Sequence, residues 1–313
     1  MVPKEYYGRL FTKEQLPVDY HSEAFTLESM IKVDKQLRCK RCYSWIEEDW
    51  QLPGGQYYCR ACIVFGRNQE GKELYYFPSK TSEIEFPVLK WFGELTPYQA
   101  EISEKLLRTY QKQKDSLVHA VTGAGKTEMI YNIVAYVLEN KGHVAIASPR
   151  VDVCRELFLR MKRDFTCSIS LLHAEGEPYD GSPLVIATTH QLLKFYQSFD
   201  LVIVDEVDAY PFVGNVMLNH AVEQAKTETG RFIYLTATST LSLEEQVRLG
   251  TLEKHHLARR FHGNPLVLPK FFWQGRLQKS LTRGKLPRPL LYQIKKQRKS
   301  KFPLLIFFPN IAI

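Results

Sequence analysis

The sequence predicts an α/β fold, a parallel sheet with helices on both faces, preceded by a small cysteine-rich ribbon. Three observations carry that prediction. Between residues 91 and 258 the short β-branched runs "SLVHAV", "HVAIASP", "SISLLH", "PLVIATT", "LVIVDE" and "RFIYLTAT" alternate with amphipathic stretches. Continuous apolar strands separated by helices belong in a sheet covered on both sides. Polar motifs stand at the ends of those runs, where open parallel sheets place their ligands. Ahead of them lie two C-x2-C pairs.

Residues 1–90 are dominated by "CKRCYSWIEEDWQLPGGQYYCRAC", which sets Cys39, Cys42, Cys59 and Cys62 as C-x2-C, sixteen residues, C-x2-C. Each C-x2-C turn aims two thiolates at one ion. The intervening segment reads as strand, Pro-Gly-Gly turn, strand, which returns the second pair to the first. Four thiolates in a tetrahedron make a structural Zn2+ site closed to substrate. Their formal charge of −2 with the ion is offset by neighbours such as Arg38, Lys40, Arg41 and Arg60. Cys154 and Cys167 lie in apolar-periodic context and are expected to be buried. The opening residues contain no secretory apolar run, and no stretch reaches the length of a membrane span. The expected location is therefore the reducing cytoplasm, where cysteines bind metal rather than pair.

Residues 91–258 carry the chemistry. In "HAVTGAGKTEMIY", Thr122, Gly123, Ala124 and Gly125 form a loop whose glycines let the backbone approach phosphates. The helix that follows points free N–H groups at them. Lys126 is placed to reach the β and γ phosphates of a bound ATP, and Thr127 to hold Mg2+. Ala120 stands where the strict pattern has its first glycine. "LVIVDEVDAYPF" delivers Asp205 to Mg2+ at a strand end, with Glu206 beside it as general base for the attacking water. Adjacent carboxylates at the end of a buried strand require a cation. Asp208 follows on the same loop, and "YLTATST" brings Thr236 and Thr238 to another strand end as coupling hydroxyls. Histidines 119, 173 and 190 are expected to pack at strand ends.

From Arg259 to Ile313 there are 13 Lys or Arg and no Asp or Glu, so the first 258 residues hold 29 basic and 34 acidic side chains. The net charge of +8 thus resides in the last 55 residues. A one-signed segment suits a polyanion through counterion release, and it also suits a solvated linker. Within it "LLYQIKKQRKSK" predicts a helix with one cationic face, and "PLLIFF" a strand.

"AVTGAGKT", "DEVD" and "TAT", in that order, resemble motifs I, II and III of superfamily 2 helicases of the DEAD/DEAH kind. That resemblance implies a RecA-like P-loop fold and a DNA-dependent ATPase. It makes Gln99 of "LTPYQ" the reader of adenine, Arg150 of "ASPRVDV" a contact for a DNA phosphate, and Thr188 and Thr189 of "ATTHQLL" donors to the DNA backbone. With the four cysteines, "LVHAVTGAGKTEMIY", "ATTHQLLKFYQ", "FDLVIVDEVDAYP" and "RRFHGNPL" resemble the ComFA family of ATP-driven DNA-uptake proteins. The family resemblance implies single-stranded DNA as substrate and cytosolic work beneath a membrane uptake channel, without membrane insertion. Its implied partners are ComFC and the recombination mediator DprA, with oligomerisation open. Such enzymes use two RecA-like lobes, the second supplying an arginine for the transition state. Here residues 259–313 are expected to be a basic linker and only the start of that lobe, which would slow hydrolysis. Two alternatives stand beside this reading: a replication-restart or repair helicase, and a nucleotide-switched adaptor that binds DNA or a partner without hydrolysis.

Overall fold

The computed structural model describes residues 2–81, 84–263, 285–299 and 303–304. The chain divides into two compact units, Met1–Pro265 and Leu266–Ile313. In the first unit the N-terminal region contributes β1 (Leu10–Thr12), β2 (Phe25–Glu28), β3 (Met30–Val33), β4 (Gln36–Cys39) and β5 (Glu73–Tyr76). β1, β5 and β2 pair antiparallel in that order, and β3–β4 is a separate hairpin running into Cys39. Val2, Phe11, Leu16, Tyr75 and Phe77 form a small core of their own. The region is tied to the rest of the unit by the bond from Tyr196 N to Gly8 O at 3.0 Å.

The core follows as α1 (Pro97–Gln111), β6 (Asp115–Ala120), α2 (Lys126–Met129), α3 (Tyr131–Glu139), β7 (Val144–Ser148), α4 (Val151–Asp164), β8 (Ile169–Leu172) and β9 (Leu184–Thr188). It continues through β10 (Phe199–Asp205), α5 (Val216–Ala225), β11 (Lys226–Thr236), α6 (Leu241–Arg248) and β12 (Leu252–Leu257). These strands form one parallel seven-stranded sheet in the order β12-β6-β11-β10-β7-β9-β8. Alternate residues of β10 serve opposite faces, as the period of two requires. Leu201 and Ile203 pack with buried residues of α1, α3 and α4. Val202 and Val204 pack with α5 and α6. The expected parallel sheet with helices on both faces is the observed one.

Four expectations need amendment or placement. The six apolar runs are strands, but a seventh, β12, has the mixed sequence LEKHHL. It lies at the sheet edge against β6, where Glu253 and Lys254 stay half-buried and His256 is exposed. Between the cysteine pairs the chain does reverse, with Leu52 N bonded to Gln56 O and Tyr58 N to Trp50 O. The arms, however, pair only at Gln51 and Tyr57, because Glu47, Glu48, Asp49 and Pro53 are poor strand formers. Cys154 is buried, whereas Cys167 is only half-buried. The "PLLIFF" strand lies outside the described residues except for Pro303 and Leu304.

In the second unit the cationic helix is present as α7 (Arg288–Lys299). Its Arg288, Lys295 and Lys299 are exposed, and the half-buried Leu290, Ile294 and Gln297 share another face. Among the described residues no helix is long and apolar enough to cross a membrane.

Candidate active site

Five of the seven strands, β6, β7, β9, β10 and β11, bear a polar motif at the carboxyl edge of the sheet. After β6 the chain turns through Gly123 (φ 79°) and Gly125 (φ 74°) into α2, where Gly125 is the residue preceding the helix. Lys126 Nζ folds back onto the carbonyl of Ala120 at 3.3 Å. Gln99 is buried beneath the loop. Its Nε2 donates to Ala124 O at 2.9 Å, while its Oε1 accepts from Thr96 N and Thr96 Oγ1, both at 2.9 Å. Thr96 and Gln99 thereby cap α1, so Gln99 holds the loop as well as lining the cleft.

Gly125 is the tightest point. A Cβ there would stand 2.3 Å from Gln99 Nε2, in a left-handed backbone that disfavours side chains. Gly125→Ala is expected to weaken nucleotide binding about 10- to 100-fold, from roughly 1–2 kcal/mol of backbone strain plus displacement of Gln99. A fluorescent-nucleotide titration checks this, and affinity within twofold of the parent would refute it.

β10 ends at Asp205, which faces the same cleft, and Glu206 follows it into an adjoining cavity also lined by Lys126 and Thr127. Burial pushes the Asp205 carboxyl up to about 6, against the opposing pull of the Lys126 ammonium. Glu206 has a left-handed backbone (φ 54°), its amide bonded to Asp205 Oδ1 at 2.9 Å. Its Oε2 is buried without a hydrogen bond and lies 3.7 Å from Arg150 Nη1. A strained non-glycine residue with an unsatisfied buried carboxylate oxygen marks a functional position rather than a structural one. Asp205 beside Thr127 fits Mg2+: both offer oxygens, and a cation there would offset the cost of burying the Asp205 charge.

The Asp205 shift has a testable sign. Its folded value lies above the unfolded one, so burial of the charge costs stability once the pH exceeds both. Asp205→Asn is therefore expected to raise the melting temperature of the nucleotide-free protein at pH 8 and not at pH 4. The gain is on the order of 2 kcal/mol. Equal gains at both pH values would contradict it.

Asp208, Thr236 and Thr238 come together at the ends of β10 and β11. Asp208 accepts from Thr238 Oγ1, and Thr236 Oγ1 bonds both the carbonyl and the amide of Thr238, at 2.6 and 3.0 Å. Arg150 precedes α4 and pairs with Asp152, through Nε–Oδ1 at 3.2 Å, as well as facing Glu206. It thus lies nearer the Glu206 carboxylate than its resemblance to a DNA contact implies. Thr188 and Thr189 are both buried, and the Thr189 hydroxyl has no hydrogen-bond partner. The Thr189 hydroxyl is not presented to solvent in this conformation. His119 does pack at a strand end, against the Ala237 carbonyl at 3.2 Å.

A cleft of about 690 Å³ runs from Gln99 across the phosphate loop to Asp205. Trp91, Arg160, Arg163 and Phe261 also line it, and sequence reasoning missed all four. Phe261 comes closest to the loop itself, its amide bonded to Gly123 O at 3.0 Å. The arginines were hidden in the ordinary-looking helix "RELFLRMKRD"; Phe261 had only the basic "RRFHGNPL" around it.

Below α5, Cys39, Cys42, Cys59 and Cys62 are wholly buried, with their sulfurs within 4.8 Å of one another. Asn68 Nδ2 donates to Cys39 Sγ at 3.0 Å. Arg41 is also completely buried; its Nη1 reaches the carbonyls of Phe65 and Gly66, while Nε and Nη2 have no acceptor. A buried guanidinium with idle donors calls for compensating negative charge. Four thiolates around a divalent soft-binding ion supply it, so the residues fit Zn2+.

The DEAD/DEAH box helicase family model matches residues 96–246. The chain is 53% identical over 310 residues to Competence protein ComFA of Streptococcus pneumoniae, covering 98% of this chain and 71% of that protein. Competence protein ComFA of Bacillus subtilis is 32% identical over 314 residues, covering 97% and 67%. Replication restart protein PriA of Bacillus subtilis is 23% identical over 194 residues, covering 56% of this chain and 24% of that one. Among solved structures, the Pyrococcus furiosus Hef helicase domain aligns over 54% of this chain and 39% of its own, at 21% identity and a TM-score of 0.43.

Proposed function

Because the chain belongs to the ComFA family, with a DEAD/DEAH box helicase core, we propose that it is an ATP-driven motor on single-stranded DNA serving DNA uptake in competence. The observation that carries the reading is Glu206, beside Asp205 and lining one cavity with Lys126 and Thr127. An adaptor switched by nucleotide has no use for a general base held in that strained position.

ATP would lie with its phosphates on the loop of Thr122, Gly123, Ala124 and Gly125, and with its base toward Gln99. Lys126 neutralises the β and γ phosphates. Glu206 takes a proton from the water that attacks the γ-phosphorus as the bond to the ADP oxygen breaks. Mg2+, held by Thr127 and Asp205, would contribute neutralisation of the phosphate charge when bound. Asp208, Thr236 and Thr238 link this loop to the end of β11, so that loss of the γ-phosphate is felt at a second strand.

DNA would cross the face bearing Arg150, Thr188 and Thr189, assisted by the basic segment 259–313, which we assign to the linker and the start of a second lobe. Residues 1–90 are then a zinc-bearing module on the ATP-binding lobe of residues 91–258. Work at the cytoplasmic face of an uptake channel, with ComFC and DprA as partners, follows from the family. Replication restart is the second reading, supported by the PriA similarity alone.

The test is ATP hydrolysis by the purified chain with and without single-stranded DNA, beside Lys126→Ala. Hydrolysis stimulated by DNA and lost in the variant is expected, with DNA affinity falling steeply with salt. Turnover indifferent to DNA would overturn the motor reading.

A further inference from the structure

The cysteine cluster does not stand apart from the nucleotide site. The four cysteines belong to the same hydrophobic cluster as Val207 and Phe212, which follow the catalytic carboxylates, and as Leu218 and Val222 of α5. Two direct contacts fasten them. His220 of α5 donates from Nε2 to the carbonyl of Lys40, between the first cysteine pair, at 3.0 Å. Its ring stacks on that of Tyr43, the residue after that pair, with centroids 4.8 Å apart and planes 13° from parallel.

Tyr43 is held for this contact. Its backbone is left-handed (φ 60°), a conformation an aromatic residue keeps only where its surroundings fix it. Arg38 does so, with Nε bonded to the Tyr43 carbonyl at 2.9 Å and its guanidinium carbon 3.3 Å from the ring centroid.

A series of short hydrogen bonds leads from α5 back to Glu206. Asn215 Oδ1 caps α5 at Leu218 N, 3.1 Å away. Three short turns then lead back: Asn215 N to Phe212 O at 3.1 Å, Phe212 N to Ala209 O at 3.0 Å, and Ala209 N to Glu206 O at 2.9 Å. These bonds connect α5 to the left-handed backbone of Glu206.

We propose that the four-cysteine knuckle is the mount of the catalytic loop, with Tyr43 and His220 as positioning residues that fix Glu206 through α5. The proposal rests on the reading of this site as an ATPase with zinc on the four cysteines. Coupling between two binding sites is reciprocal in free energy, and a transition-state analogue feels the placing of the carboxylate as turnover does. Just as the knuckle places the carboxylate, such an analogue, by ordering the carboxylate loop, should hold zinc more tightly and retard its release.

Two measurements on the full chain decide it. The first is the rate at which a chromogenic chelator withdraws zinc, with and without ADP–aluminium fluoride and Mg2+. The nucleotide is expected to slow release at least fivefold in the parent and to leave it unchanged in Tyr43→Ala and His220→Ala. The second is steady-state ATP hydrolysis. Both variants, still holding one zinc per chain, are expected to lose at least tenfold in kcat with KM for ATP within about twofold. Tyr43→Phe, which keeps the ring, should behave as the parent.

Zinc release indifferent to nucleotide in the parent would overturn the proposal, as would kcat retained in both alanine variants. Loss of zinc together with turnover would overturn it too, since the contacts would then serve the metal site and not the carboxylate. A parent chain that binds nucleotide without DNA-stimulated turnover would sink the motor reading instead. The zinc-release measurement would still decide the mount.

Discussion

Glu206→Gln is expected to lower ATP turnover by about 10²- to 10⁴-fold, the range lost when a positioned general base is removed, while nucleotide affinity stays within a few-fold. Glutamine has nearly the same shape, so the turn that bonds Ala209 N to the residue-206 carbonyl can persist. What disappears is the acceptor for the proton of the attacking water. Arg150 loses a neighbour 3.7 Å away but keeps its hydrogen bonds to Asp152, so the wall of the cleft should stand. Lys126→Ala differs in kind, because it removes charge that the bound phosphates feel before any reaction. The pair therefore separates two failures: Glu206→Gln should bind nucleotide and stall, whereas Lys126→Ala should bind poorly. Single-turnover hydrolysis beside equilibrium nucleotide binding distinguishes them. Turnover by Glu206→Gln within threefold of the parent would remove Glu206 from the chemistry and revive the adaptor reading.

The carboxylates and the phosphate loop were legible because their chemistry demands local sequence. A buried strand must be apolar throughout, as β7 and β9 are, and the residues at its end must then carry the polarity. The C-x2-C pairs were legible for the same reason, since two ligands on one turn need fixed spacing. β12 was not: Glu253, Lys254 and His256 leave no apolar run, and its place beside β6 depends on an edge that only the folded sheet creates. Nor was the docking of the knuckle on α5, because Tyr43 and His220 meet across most of the chain and neither belongs to a pattern. Gln99 lies between these cases. Its motif marked it as a site residue, and "TPYQ" also carries the Thr-x-x-Gln capping pattern, whose consequence is the bond from Gln99 to the phosphate loop.

Removing the metal from the four cysteines is expected to cost the first unit on the order of 3–5 kcal/mol, the usual penalty of leaving a buried charge uncompensated. For a unit of this size that is a fall in melting temperature of roughly 10 °C. The charge in question is Arg41. It is wholly buried, two of its nitrogens have no acceptor, and the described contacts satisfy only Nη1. With zinc on four thiolates the cluster is formally −2 and balances the guanidinium. With the metal chelated and the thiols protonated, that balance is gone, and the hydrophobic cluster shared by the cysteines and α5 must hold an unpaired cation. The charge account can be separated from mere loss of a crosslink. In Arg41→Met the stripped protein no longer carries the buried cation, so the gap in melting temperature between loaded and stripped protein should narrow. A crosslink alone would leave the gap as wide in the variant as in the parent. Cys167→Ser, at a half-buried position away from the cluster, should leave the gap untouched. Scanning calorimetry of the three proteins with and without chelator therefore reads which force holds the knuckle against α5.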